Sequence, residues 1–263
     1  VIKIKKGLDI NLKGKASDVL LNGGKSDSYA IVPDYYNGIV PKVVAKVGEK
    51  VKAGSVLMID KNRPEIKFVS PVSGEVTAVN RGEKRKVLSV VVKPEAQIEY
   101  EDFGKKNVAS LKREEVKEAI LHAGMWPFIK QRPYDIVASP ADEPRDIFVS
   151  AFYSAPLAPN FDFVVKGQEV DFQTGLDALA KLTDGKVYVG IRKGSSVSVK
   201  GVETVEVEGP HPAANVGVQI NHIKPINKGE VVWTVNPADV IVIGRLFNKG
   251  IADFSRLVVI TGS

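Results

Sequence analysis

Any chemistry in this chain must proceed without cysteine. None of the 263 residues is Cys, which removes disulfides, thiolate zinc sites, cysteine-held iron–sulfur clusters and a cysteine nucleophile. The histidines are His122, His211 and His222. His122 ends an amphipathic stretch, where it suits the negative pole of a helix better than a ligand role. His211 and His222, eleven residues apart on a turn and a helix, have no Cys and no close carboxylate to complete a metal site. No Ser–His–acid or paired-carboxylate arrangement emerges from the spacing, and no catalytic residue is assigned. Neither GxGxxG nor GxxxxGK followed by Ser or Thr is present, so the usual phosphate-cradling loops are missing.

Two aromatic loops are the remaining candidates. GMWPFIKQRPYD (124–135) stands after the first predicted helix, where a phosphate loop could sit. Trp, Pro and Phe there keep backbone amides from approaching a phosphate. Trp126, Phe128 and Tyr134 read either as an apolar wall for a hydrophobic ligand or partner, or as core packing. AFYSAPLAPNF (151–161) follows a predicted strand. Its Phe152, Tyr153, Pro156, Leu157 and Pro159 could line an apolar crevice at the end of a sheet.

The elements that must position these loops follow from composition and period. Hydrophobic residues make up 44% and charged residues 26% of the chain, near globular averages, and no apolar run approaches the roughly 18 residues needed to span a bilayer. VIKIKKGLDI alternates apolar and basic residues and has no signal-peptide core, which makes a cytoplasmic location the default. The net charge of +6 is concentrated: residues 1–100 carry 18 Lys and Arg against 11 Asp and Glu, residues 101–263 19 against 20. Such a basic part reads as a nucleic-acid surface, as a face toward anionic lipid headgroups or an acidic partner, or as solvated lysine, and the scatter of Lys3, Lys5, Lys13, Lys15, Lys42, Lys46, Lys50 and Lys52 at near-alternate positions suits the last. The tightest cluster, Arg81 to Lys86, interleaves no aromatic for base stacking, which argues against nucleic acid.

Residues 30–95 are short β-branched runs punctuated by Gly and Pro, an all-β pattern. In VGEKVKAGSVL (47–57), Gly48 and Gly54 supply turns that a Cβ would obstruct, with Val47, Val51, Val56 and Leu57 packing inward; Pro71 and Gly74 mark the return corner. From about residue 107 the period changes. SLKREEVKEAILHAG (110–124) predicts a helix with Ser110 as N-cap and Gly124 closing it. Strands are predicted at 135–139, 146–151, 186–192 and 202–208, and helices at 171–185, 213–223 and 236–247, the last with Asn at the cap and Pro at its first position. This alternation predicts a parallel, three-layered α/β domain. SRLVVITGS (255–263) reads as the beginning of a further strand cut short.

The spacing over 47–79 resembles the hammerhead of biotinyl and lipoyl carrier domains, the barrel-sandwich hybrid. In such carriers the modified Lys sits at a hairpin tip. Here the tip falls near Arg63–Pro64, so Lys61 is off the apex and reads as unmodified. IKIKKGLDI, FVSPVSGEVTAVNRGEKRKVLSVVV (68–92), IFVSAFYSAPLAPNF (147–161), GKVYVGI (185–191) and EGPHPA (208–213) together resemble the A subunit of the sodium-translocating NADH:quinone oxidoreductases. More distantly, the chain is similar to the C subunit of the Rnf complex and the flavin-binding subunit of respiratory complex I.

The resemblance implies an α+β multidomain chain. A barrel-sandwich hybrid over 1–100 precedes a Rossmann-like α/β domain over 101–254 that lacks the Gly-rich flavin loop, and 255–263 starts a truncated C-terminal domain. It implies a peripheral subunit on the cytoplasmic side of the cell membrane, docked chiefly on a membrane-embedded quinone-side subunit. Electrons would pass from NADH to quinone, coupled to sodium export by the whole complex. NADH, FAD, FMN and the iron–sulfur centre would belong to other subunits, with quinone as the ligand nearest this chain, against a wall of Trp126, Phe128, Phe152 and Tyr153. The alternatives are a flavin-dependent NADH dehydrogenase module and a lipoyl or biotin carrier protein.

Overall fold

The computed structural model describes residues 1–10, 12 and 17–260. Lys13, Lys15 and residues 261–263 of the terminal run lie outside them. In chain order the elements are β1 (Ile2–Lys3), β2 (Tyr29–Ile31), β3 (Pro41–Val43), β4 (Lys50–Val51), β5 (Val56–Asp60), β6 (Lys67–Val69), β7 (Gly74–Arg81) and β8 (Val87–Pro94). Then come α1 (Arg113–His122), β9 (Lys130–Arg132), β10 (Ile136–Val137), β11 (Ile147–Ser150), α2 (Phe161–Val165) and α3 (Glu169–Lys181). The remainder are β12 (Val187–Arg192), β13 (Glu203–Glu208), α4 (Val216–Ile223), β14 (Val232–Val235) and α5 (Pro237–Lys249). They fall into two compact units, one of residues 23–142 with 245–254, the other of 1–22 with 143–244 and 255–263.

The first unit holds two antiparallel sheets, ordered β2-β8-β7-β4 and β3-β5-β6. Val51, Leu57, Val72, Val76, Val90 and Val92 form a shared core, the inward half of the period-two pattern along each strand. Val47, predicted to pack inward, is 62% exposed because it sits in the turn closed by Glu49 N–H donating to Lys46 O. Gly48 has open space around it and is required for its φ of +87° instead. The β5–β6 turn is locked from below. Buried Asp60 accepts from the Val40 and Asn62 amides, each at 3.1 Å, and from Arg63 Nε at 2.8 Å. Arg63 also donates to the carbonyls of Gly38 (2.9 Å) and Val137 (3.2 Å). Lys61 stands exposed on the flank of this turn.

The predicted helix over 110–124 starts later than its pattern. Ser110 ends a short 3-10 turn capped by Asn107, whose side chain accepts from Ala109 N–H at 3.1 Å. α1 begins at Arg113, where Glu115 reaches back to accept from Lys112 N–H at 2.8 Å. The parallel strand predicted at 135–139 is a two-residue strand, β10, paired antiparallel with β9. Pro133 and Asp135, the latter with φ of 54°, turn the chain back between them.

The second unit is built on strands paired in parallel, in the order β1-β13-β12-β11-β14. Ile2 and Lys3, grouped by sequence with residues 1–100, lie beside Val207 and Glu208 instead. The next residues continue the pairing through Ile4 N–H to Glu208 O (2.8 Å) and Leu8 N–H to His211 O (2.9 Å). A strand of two residues carries too little pattern to reveal a partner 200 positions away. Phe148, Tyr188 and Val232 pack with Ile220 of α4 on one face, and α3 contacts β12 and packs against α5. The strand predicted from 255 does not form, since 255–260 has no regular structure. α2, capped by Asn160, and β14 are additions to the predicted elements. Among the described residues no helix is long and apolar enough to cross a membrane.

Candidate functional site

Strand order locates the candidate site. From β11 the chain goes to its neighbour β12 and on to β13, then crosses to β14 on the other side of β11. The loops after β11 and β14 therefore leave the carboxyl ends of neighbouring parallel strands, the end at which open α/β sheets hold ligands.

Under α4, this end of β11 and β12 is polar. Gln219 of α4 is buried and donates through Nε2 to Ser150 Oγ at 2.9 Å and to Ala213 O at 3.1 Å. Gly190, beside Ser150 on β12, makes room for it: a Cβ there would stand 2.1 Å from Gln219 Oε1. The loop after β11 follows. Phe152 turns inward, 6% exposed, and packs with Ile4, Val207 and Ala213, with the Arg192 guanidinium 5.8 Å from its ring centre.

Tyr153 points the other way, toward the first turn of α5. Its hydroxyl donates to Asn236 Oδ1 at 3.3 Å, an oxygen that also accepts from Ala238 N–H at 3.0 Å as the helix cap. Burial pushes the Tyr153 phenol above its ordinary pKa and Asp239 adds to this, against the Asn236 hydrogen bond and Arg256. The phenol therefore stays protonated at neutral pH and remains a donor. Next along the loop, Ser154 Oγ accepts from Ala214 N–H at 3.0 Å and lies 3.1 Å from His211 Nδ1. His211 is itself held to the N-terminal segment, its backbone N–H donating to Asp9 Oδ1 at 2.8 Å.

The proposed wall residues are divided between the units. Phe152 and Tyr153 belong to the α/β unit, Trp126 and Phe128 to the β-rich one. Trp126 is fully buried with Nε1 donating to Ala138 O at 2.8 Å. Phe128 is half-buried, edge-on to Phe254 at 5.9 Å, and Tyr134 is 79% exposed. Of the four, Tyr153 is the one whose polar group reaches from the loop after β11 to the residue after β14. Sequence reasoning misses Asn236, Ser154, His211 and Gln219 as site residues: Asn236 reads only as a cap, and Gln219 carries no local signal.

The loop after α1 does not fit a flavin phosphate. Four of its amides are bonded within the turn: Gly124 donates to Leu121, Met125 to Ile120, Phe128 to Met125 and Ile129 to Trp126, and Pro127 has none. These four N–H groups are therefore not aimed at an anion. His122 is edge-on to Phe103 at 5.3 Å and the His222 ring bonds Val218 O at 2.8 Å. No group of three or more His, Cys, Asp or Glu able to hold a metal occurs among the described residues.

Two antiparallel sheets around one core, followed in sequence by a parallel sheet with helices on it, make this a barrel-sandwich hybrid plus α/β protein. The family model described as NqrA N-terminal barrel-sandwich hybrid domain matches residues 2–95, and that described as NqrA second alpha/beta domain matches residues 111–252. The chain belongs to the NqrA family. Among relatives, it is 38% identical over 268 residues to the A subunit of the Na(+)-translocating NADH-quinone reductase of Neisseria meningitidis. It is 38% identical over 267 residues to that of Hahella chejuensis and 35% identical over 267 residues to that of Photorhabdus laumondii. All of this chain is covered in each case, and the chain spans about 60% of the length of these curated relatives.

Proposed function

We propose that the chain serves within the A subunit of a sodium-translocating NADH:quinone oxidoreductase, as a peripheral, quinone-proximal part on the cytoplasmic side, docked on a membrane-embedded subunit. The observation that carries this reading is the 35–38% identity, end to end, with relatives bearing that name. In this reading the chain holds no flavin, and NADH, FAD, FMN and the iron–sulfur centre belong to other subunits. The amides bonded within the turn after α1 support it, as does Phe152, whose ring is packed against Ile4, Val207 and Ala213. The α/β unit is then a flavin-free counterpart of the complex I flavin-binding subunit, a reading that the parallel strand order β13-β12-β11-β14 supports.

In this reading Tyr153 is the residue that meets the quinone, its protonated hydroxyl exchanging Asn236 for a quinone carbonyl. Binding of a labelled short-chain ubiquinone analogue to the purified chain, followed by equilibrium dialysis, tests this. Saturable binding is expected, weakened by roughly 3- to 10-fold in Tyr153→Phe, the worth of one hydrogen bond. Absence of binding, or binding indifferent to the substitution, removes Tyr153 from the quinone path.

A further inference from the structure

The positive charge of the β-rich unit is unevenly neutralised. Lys50 pairs with Glu75 and Glu95, and Lys52 with Glu99. At the tip of the β7–β8 hairpin, Arg81, Lys84 and Arg85 are all exposed with no acidic partner among the described residues, while Lys86 pairs with Asp34 at 2.6 Å. Glu83, also exposed at the tip, leaves it net positive. The tip is closed by Gly82 N–H to Lys86 O (2.9 Å) and by Arg81 Nη1 to Arg85 O (3.1 Å).

Two further features set this tip apart from a solvated turn. Lys84 and Arg85 have φ of 51° and 62°, a left-handed pair that glycine or asparagine would fill with less strain. This turn leaves both basic side chains exposed at the apex, with no acidic partner among the described residues. Second, the apolar surroundings are exposed with it. Leu88 is 42% exposed against Gly82. The Asp34–Lys86 pair holds the turn Pro33–Tyr35 beside the tip, with Tyr35 79% exposed. Free cations, an aliphatic group and an amphipathic aromatic together are the composition that seats at the boundary between anionic headgroups and acyl chains. Sequence alone shows the cluster without an aromatic, because Tyr35 is some fifty positions away.

We infer that the β7–β8 tip, with Arg81, Lys84 and Arg85 flanked by Leu88 and Tyr35, docks on the anionic headgroups of a membrane surface. The inference rests on the proposed function only in setting a membrane beside the chain. Vesicle binding needs no quinone, NADH or partner protein, so its failure leaves the quinone reading standing, and failure of quinone binding leaves this one.

The test is co-sedimentation of the purified chain with phosphatidylcholine vesicles, with and without phosphatidylglycerol. Binding is expected only with the anionic lipid and should be lost at about 1 M salt, where screening is nearly complete. The variant R81Q/K84Q/R85Q should bind roughly 100-fold more weakly, at about fivefold per basic residue. K42Q/K46Q/K61Q, which removes the same charge from exposed lysines elsewhere in the unit, should bind within a few-fold of the parent. Y35S/L88S should weaken binding most at intermediate salt, where screening leaves the apolar contribution the larger share. Thermal unfolding of each variant confirms that it is folded. Equal losses in the two triple variants, no preference for phosphatidylglycerol, or tip-dependent binding to soluble polyglutamate without vesicle binding would each overturn the inference, the last in favour of an acidic protein surface.

Discussion

Asp146→Ala is expected to destabilise the α/β unit by about 3–5 kcal/mol, the range for stripping one partner from a buried ion cluster. Asp146 opens β11 with its side chain out of solvent, accepting from Arg145 Nε and Lys224 Nζ, each at 2.7 Å, and from Lys186 N–H at 3.1 Å. Arg145 is further committed to Glu230 and to the carbonyls of Pro225 (3.0 Å) and Lys224 (2.9 Å). Removing the carboxylate leaves two cations facing each other at the foot of the central strand. With total stabilities of roughly 5–15 kcal/mol, most of the margin would go.

The same carboxylate gives a pH dependence of defined sign. Burial pushes the Asp146 pKa up, but the hydrogen bonds from Lys224, Lys186 and Arg145 outweigh it and hold the group below its ordinary value. A carboxyl whose folded pKa is depressed stabilises the fold above its unfolded pKa, near 4, and that stabilisation disappears as pH falls through the folded value. Urea midpoints of the parent chain should fall steeply below about pH 4, whereas Asp146→Asn should start lower and fall less. Parallel curves for the two would contradict the role given to Asp146.

Gly244→Ala should cost about 3 kcal/mol, at the upper end of overpacking penalties. α3 and α5 cross with their backbones in contact. A Cβ on Gly244 would stand 1.7 Å from Asp171 O, and one on Gly175 2.0 Å from Val240 O. Both obstacles are main-chain carbonyls, so no side chain can swing aside, and the helices must separate. Gly175→Ala should cost a similar amount, and the double variant less than the two together, because one separation accommodates both methyl groups. Urea unfolding with an unchanged m-value would measure the three effects. A full sum would mean that the two glycines are accommodated independently.

The sequence is most legible where pattern is local. Gly124 ends α1 as its position predicts, with φ of +69° and no room beside Val69, and Asn236–Pro237 opens α5. β12 and β13 keep their predicted bounds to within a residue. What stays hidden depends on long-range partners. Residues 2–8 join the α/β unit through β1 and the His211 contacts, which no period in IKIKK encodes. Composition finds the aromatic loops but does not say which way a ring turns. Trp126 and Phe152 go inward, Tyr153 toward Asn236 and Tyr134 to solvent. α2 has a readable signal in Asn160 after Pro159, and β14 in the apolar run before Asn236–Pro237.

If this chain serves, as proposed, as the corresponding part of the A subunit in a sodium-translocating NADH:quinone oxidoreductase, it should replace that part in a relative. The most direct measurement replaces the matching 60% of a relative's A subunit with this chain, purifies the assembled complex, and follows sodium-stimulated NADH:quinone reductase activity. Assembly with restored, sodium-dependent quinone reduction is the predicted result. A chimaera that is folded yet fails to assemble, or assembles without restoring quinone reduction, would contradict the account.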